Sequence, residues 1–109
     1  MDTLEQYRRL IQELLAKRVY SRQDVITQTI FDSERDHYQL VNVGWRQGEH
    51  RVYGTVIHLD IIDGKIWVQW DGTDDPIAEE LVARGVPKSE IVLGFHAPYK
   101  RPFTEYATG

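Results

Sequence analysis

The stretch Ile57-His58-Leu59-Asp60-Ile61-Ile62-Asp63-Gly64-Lys65-Ile66-Trp67-Val68-Gln69-Trp70 decides the fold. Apolar residues recur at every second position on both sides of Asp63-Gly64, a dipeptide that tolerates positive φ at both central positions of a type I′ turn. Two strands therefore fold back on one another as a hairpin, with Ile61 opposite Ile66, Leu59 opposite Val68 and Ile57 opposite Trp70. That is the expected core face. The other face carries Asp60 beside Trp67, His58 beside Gln69 and Val56 beside Asp71, and a slip of one residue would exchange the two sets.

Working outward, β-branched and aromatic residues place further strands near 27–32, 37–45 and 51–62, ahead of a last one at 65–71. Arg46-Gln47-Gly48-Glu49-His50 reads as a looser hairpin connection. Before the strands, Leu4, Tyr7, Ile11 and Leu14 recur at helical spacing, Thr3 with Gln6 fits a capping box, and Lys17 with Arg18 suits the negative end of the dipole. This predicts an amphipathic helix over 3–19 whose apolar stripe covers the sheet. Downstream, Asp74-Asp75-Pro76 opens a second, short helix over 76–84 that Gly85 closes. Ile91-Val92-Leu93 is a candidate fifth strand, and Phe95 to Gly109, with Pro98 and Pro102, reads as an irregular arm. The expectation is an α+β domain over residues 1–109: an antiparallel sheet of four or five strands, an N-terminal helix and a second short helix.

Composition agrees with one soluble domain: 109 residues, 41% hydrophobic and 28% charged. With no cysteine, disulfides, thiol catalysis and cysteine-based metal sites are excluded. Thirteen Lys and Arg against seventeen Asp and Glu leave a net charge of −4, without the basic field of an autonomous nucleic-acid binder. Between Asp60 and Glu80 seven anions face Lys65 alone, an excess that suits a basic protein surface and puts Asp74, Asp75 and Glu79 forward as contact residues. Neither a signal or transit peptide nor a membrane span is visible, so a cytoplasmic location is expected.

Catalytic signatures are scarce, with no phosphate-binding glycine loop, His-Glu-x-x-His or nucleophile elbow. The sharpest constellation is His58 with Asp60 on one strand face. His37 joins it opposite His58 if the preceding hairpin turns tightly at Gln47-Gly48, and leaves that face if the register slips by one. Imidazole beside carboxylate suits general-base or metal chemistry. Histidines in small β domains are ordinarily hydrogen-bonded surface groups, so no catalytic, cofactor or metal residue is assigned. Asp32, Glu34, Asp36 and His37 gather in a polar connection, but their spacing matches no calcium loop and Arg35 can neutralise them. In the arm, Tyr99, Lys100, Arg101 and Phe103 have the ingredients of a nucleic-acid contact. Two adjacent cations are few, and packing on the same domain or on a twin subunit fits better.

Several runs carry a resemblance: Ile30-Phe31-Asp32-Ser33-Glu34-Arg35-Asp36-His37-Tyr38-Gln39-Leu40, Val52-Tyr53-Gly54-Thr55-Val56-Ile57-His58-Leu59-Asp60, Gly64-Lys65-Ile66-Trp67, and Ile91-Val92-Leu93-Gly94-Phe95-His96-Ala97-Pro98-Tyr99-Lys100-Arg101. Together they resemble the XisI family, the fdxN element excision controlling factor proteins of cyanobacteria. The resemblance implies a regulatory protein in programmed excision of a DNA element, acting beside a companion called XisH while a separate recombinase exchanges strands. It supplies no catalytic residues.

The expected function is thus that of a non-enzymatic accessory factor working through protein contact with an XisH-like partner, with DNA touched only weakly or indirectly. The alternatives are direct DNA binding through the N-terminal and tail cations, or a small enzyme using His58 and Asp60. The candidate interaction surface is Trp67, His58, Asp60, Asp74, Asp75, Glu79, Tyr99, Lys100, Arg101 and Phe103. Trp45, Trp67, Tyr99, Phe103 and Tyr106 exceed what one covered sheet face buries, which suggests a homodimer using Trp67 and the arm. The other solution folds the arm over Trp67 within its own chain.

Overall fold

A computed structural model describes residues 2–109; Met1, at the edge of the single domain expected over 1–109, lies outside the described residues. The chain runs through helix α1 (Thr3–Ala16), strands β1 (Val25–Asp32), β2 (His37–Arg46), β3 (His50–Ile62) and β4 (Lys65–Asp71), helix α2 (Ile77–Ala83) and strand β5 (Ile91–Leu93). The five strands form one sheet in sequence order. β1 to β4 are antiparallel, as expected of short hairpins, and β5 adds to them parallel to β4, so the sheet is mostly antiparallel. The cause is the connection: α2 lies between β4 and β5, and a crossover through a helix returns the chain in the same direction.

Helix α1 turns its stripe inward as expected, burying Tyr7, Ile11, Leu14 and Leu15. Its start is set by Asp2, whose carboxylate accepts from the Leu4 backbone N–H at 3.0 Å, rather than by the anticipated box of Thr3 and Gln6. It ends at Ala16, three residues before the expected boundary. Beyond it Arg18 reaches across to α2, donating to the Glu80 carboxylate at 3.0 and 3.2 Å and to the Asp75 carbonyl at 2.6 Å. At the opposite end of the helix, Arg8 grips Asp36 in the β1–β2 turn with two bonds of 2.8 and 3.1 Å, and the buried Tyr38 hydroxyl donates to the same carboxylate at 2.9 Å. These bonds, from Arg8 first, hold the Asp36 carboxyl below its usual range.

Between the helices and the sheet lies one core, built from the α1 stripe, Tyr38, Leu40, Ile57, Leu59, Ile61, Ile66, Val68, Ile91 and Leu93, with Ile77 and Leu81 of α2. The β3–β4 hairpin turns at Asp63 (φ 51°) and Gly64 (φ 79°), the pair of positive angles that its dipeptide predicts. Ile61 faces Ile66, Leu59 faces Val68 and Asp60 faces Trp67, all as expected. Past Leu59 the register shifts: His58 now faces Trp70 and Ile57 faces Asp71, so the expected pairs Ile57 with Trp70, His58 with Gln69 and Val56 with Asp71 do not form. Gln69 is the extra residue of a β-bulge. The bulge moves Trp70 out of the core to half exposure and brings Asp71 opposite the core-facing Ile57. There Asp71 accepts from the Ile77 backbone N–H at 2.7 Å and caps α2. The cap expected from Asp74-Asp75 is therefore supplied by the end of a strand instead.

Gly44 is required by close approach. A Cβ there would stand 1.9 Å from the Asp24 carbonyl oxygen, which accepts from the Trp45 N–H at 2.9 Å. At the far edge of the sheet, the tail bridges β5: Val92 pairs with Ala107, whose N–H donates to the Ile91 carbonyl at 2.9 Å.

Candidate functional site

His37, His58 and Asp60 meet on the sheet face away from α1. Asp60 Oδ1 accepts from His37 Nδ1 and from His58 Nε2, both at 2.8 Å, and Oδ2 accepts from Gln69 Nε2 at 3.1 Å. The meeting depends on two register shifts. A tight turn at Gln47-Gly48 would set His37 opposite His58. The loop between Arg46 and His50 is one residue longer, which by itself would set His37 opposite the core-facing Leu59. A bulge at Val56, between the pairs Val41–Thr55 and Leu40–Ile57, adds a second step and sets His37 opposite Asp60. Two odd steps restore the face, so the cluster foreseen on the strict condition of a tight turn forms by another route.

Asp60 is 7% exposed, while His37 remains largely open to solvent and His58 partly so. Burial pushes the Asp60 carboxyl upward, but the hydrogen bonds from His37, His58 and Gln69 outweigh it and hold the group below its usual range. An ionised carboxylate only accepts, so each ring presents N–H to it, at Nδ1 of His37 and Nε2 of His58. Gln69 completes the site and could be found in sequence only as a neighbour of His58; the bulge aims it at Asp60 instead. Of the polar connection before it, Asp32 accepts from the Glu34 and Arg35 backbone N–H groups at 3.0 Å and Asp36 is held by Arg8. That run is a structured turn.

Of the remaining candidate residues, Trp67 and Arg101 are brought together, and none of the others joins the histidine cluster. Trp67 stands next to Asp60 in register, and the tail folds over it within the same chain: the Arg101 guanidinium lies 5.2 Å from the ring centre. Arg101 is fixed there by donating to the carbonyls of His96 at 3.0 Å and Gly94 at 3.3 Å. Tyr99, Lys100 and Phe103 point outward from the 3-10 turn Pro98–Phe103, Phe103 being 89% exposed. Asp74, Asp75 and Glu79 are exposed in and after the β4–α2 loop, but the acidic stretch that contains them is largely spent internally. Asp60 serves the histidines, Asp71 caps α2, and Glu80 and Asp75 share Arg18.

Of the other open feature of the outer face, sequence reasoning named Trp45 as a surplus aromatic and missed Arg51 and Tyr53. Arg51 stacks between Trp45 and Tyr53, its guanidinium 5.1 and 5.8 Å from their ring centres, and Tyr53 is 73% exposed. Ile26 and Ile30 of β1 and Trp70 of β4 are also exposed. The signal was present: Arg51 and Tyr53 are two apart on one strand and Trp45 pairs with Arg51 across the hairpin.

Compared with known proteins, residues 1–108 match the XisI protein family. A solved XisI-like protein from Anabaena variabilis ATCC 29413 is similar at 53% identity with a TM-score of 0.90, over 97% of this chain and 99% of that one. The fdxN element excision controlling factor XisI from the same organism is similar at 38% identity with a TM-score of 0.85, over 99% of this chain and 100% of the other. No curated protein matches.

Proposed function

The chain belongs to the XisI family, and from that premise we propose that it is a non-catalytic controlling factor in the excision of a DNA element, working by contact with an XisH-like protein. The observation that carries this reading is the uncovered sheet face. Trp45, Arg51, Tyr53, Ile26 and Ile30 present aromatic, arginine and aliphatic surface of the kind enriched in protein interfaces, on rigid strands. In this reading a separate recombinase exchanges the strands.

Direct DNA binding has less support. Arg8, Arg18, Arg84 and Lys88 are paired with Asp36, Glu80, Glu13 and Glu105, and Arg101 with backbone carbonyls, which takes five of the thirteen Lys and Arg away from phosphates in a chain of net charge −4. Of the N-terminal and tail cations invoked for DNA, Arg8, Arg18 and Arg101 are among these. The enzyme reading has less support as well: among the described residues neither histidine of the cluster is hydrogen-bonded to a side-chain hydroxyl, so none is activated there as a nucleophile.

Reconstitution with an XisH-like protein tests the proposal. The pair should co-elute, the complex should weaken with salt, and Trp45→Ala with Tyr53→Ala should abolish it while leaving the fold intact. Retention after those changes, but loss on charge reversal at Asp74, Asp75 and Glu79, would move the contact to the acidic loop. Tight binding of element-end DNA by the chain alone at physiological salt would overturn the proposal.

A further inference from the structure

The two histidines and the aspartate have a second capacity, independent of partner binding. One ring nitrogen of each histidine and an Asp60 carboxylate oxygen all lie within 4.8 Å of one another, and His37 Nδ1 and His58 Nε2 each stand 2.8 Å from Asp60 Oδ1. We propose that His37, His58 and Asp60 form a divalent transition-metal site, selective for zinc-class ions, on the outer face of the sheet.

Three observations carry it. The donor set, two imidazoles and one carboxylate, is one that zinc takes when it keeps an open position for water, and hard cations such as magnesium do not prefer it. All three residues sit on strand backbone, His37 directly opposite Asp60 and His58 two residues along the same strand as Asp60, so the frame is rigid before any ion arrives. The nitrogen-to-oxygen separations of 2.8 Å need only widen to about 3.0–3.4 Å for an ion bound at about 2.0–2.2 Å to each donor. Side-chain torsions can supply that.

Gln69 is the positioning residue. By donating to Oδ2 it fixes the carboxylate plane and leaves Oδ1 to the histidines. Entry of an ion requires His37 Nδ1 and His58 Nε2 to be lone-pair donors. Each ring then carries its proton on the other nitrogen, so no net proton is released by a neutral imidazole. His37 is largely exposed and His58 partly so, which gives the ion a path from solvent and leaves its remaining positions to water.

The test is titration of the metal-free full chain with zinc chloride by calorimetry, and with cobalt chloride by visible absorption. One equivalent should bind with a Kd of about 10 μM or tighter, and the cobalt spectrum should have the intensity of a four- or five-coordinate site. His37→Gln and His58→Gln should each weaken binding at least about tenfold, and Gln69→Ala by about tenfold. The remaining two histidines are the control: His50→Gln and His96→Gln should bind as the parent does. His37 is exposed enough for its variant to remain folded, which circular dichroism checks. Binding no tighter than about 1 mM, or equal loss in the His50 and His96 variants, would overturn the proposal. Neither result bears on the XisH-like contact, which is read by co-elution.

Discussion

Replacing Asp71 by alanine should cost more stability than replacing any residue of the acidic loop that follows it. Asp71 stands at the end of β4, yet its Oδ2 accepts the first N–H of α2 at 2.7 Å and its Oδ1 accepts from the Thr73 backbone N–H at 2.9 Å and from the Thr73 hydroxyl at 2.6 Å. Removal of a helix cap costs about 0.5–2 kcal/mol, and the lost turn bonds add about 1 kcal/mol. The expected total is about 2 kcal/mol, a fall in Tm of about 10 °C for a domain of this size. Asparagine keeps the acceptor geometry and should recover more than half of that loss. Asp74→Ala and Asp75→Ala should stay within about 0.5 kcal/mol, because Asp74 is exposed and the Asp75 carboxylate is 89% exposed in its 3.5 Å pairing with Arg18. Urea unfolding followed by circular dichroism measures all four. A loss at Asp74 or Asp75 equal to that at Asp71 would refute the strand-borne cap and restore the cap that the local sequence suggests.

Other outcomes follow from the same geometry. Asp36→Asn should destabilise the protein at pH 7 and progressively less as pH falls below about 4: the folded carboxyl is held below its ordinary value by Arg8 and Tyr38, so its contribution is present above that ordinary value and disappears as pH falls through the folded one. Parallel denaturation curves at pH 7 and pH 3 read the difference, and a gap that does not narrow in acid counts against the Arg8 clasp. Gly44→Ala should cost about 1–3 kcal/mol and raise hydrogen exchange at residues 22–26, since the new Cβ must displace the Asp24 carbonyl. Arg101→Ala should release the tail from Trp67, seen as faster proteolysis after residue 94 and a changed tryptophan emission; unchanged cleavage would show that the bridge at Ala107 holds the tail alone.

The elements were legible where one local signal sufficed. The four antiparallel strands emerge within two residues of their expected ends because alternation and the Asp63-Gly64 turn act at short range. The α1 stripe is core for the same reason. What escaped were features decided by distant groups. Nothing near Gln69 announces a bulge, because its benefit is realised at the N-terminus of α2, where Asp71 becomes a cap. Just past the helix end at Ala16, Arg18 likewise finds Glu80 and Asp75, partners far away in sequence that no local signal names. The histidine cluster was legible in composition but not in register, since it needs both the longer loop at 47–49 and the bulge at Val56. The acidic run looked like a surface charge because a count of anions cannot see that Asp60, Asp71 and Glu80 are already engaged within the fold.

The two borders of the sheet have opposite capacities for growth. β5 is three residues long and its outer side is already occupied by Ala107, so a foreign strand finds no ladder to extend there. β1 has eight residues, and past Val25, which is bridged to Arg22, its outer side is open. A strand from another molecule can therefore be added at one border alone, and pairing of β1 with β1 about a two-fold axis uses up that border on both copies. The resulting ten-stranded sheet would end in a closed β5 at each extremity, which makes edge-to-edge polymerisation self-terminating at two chains.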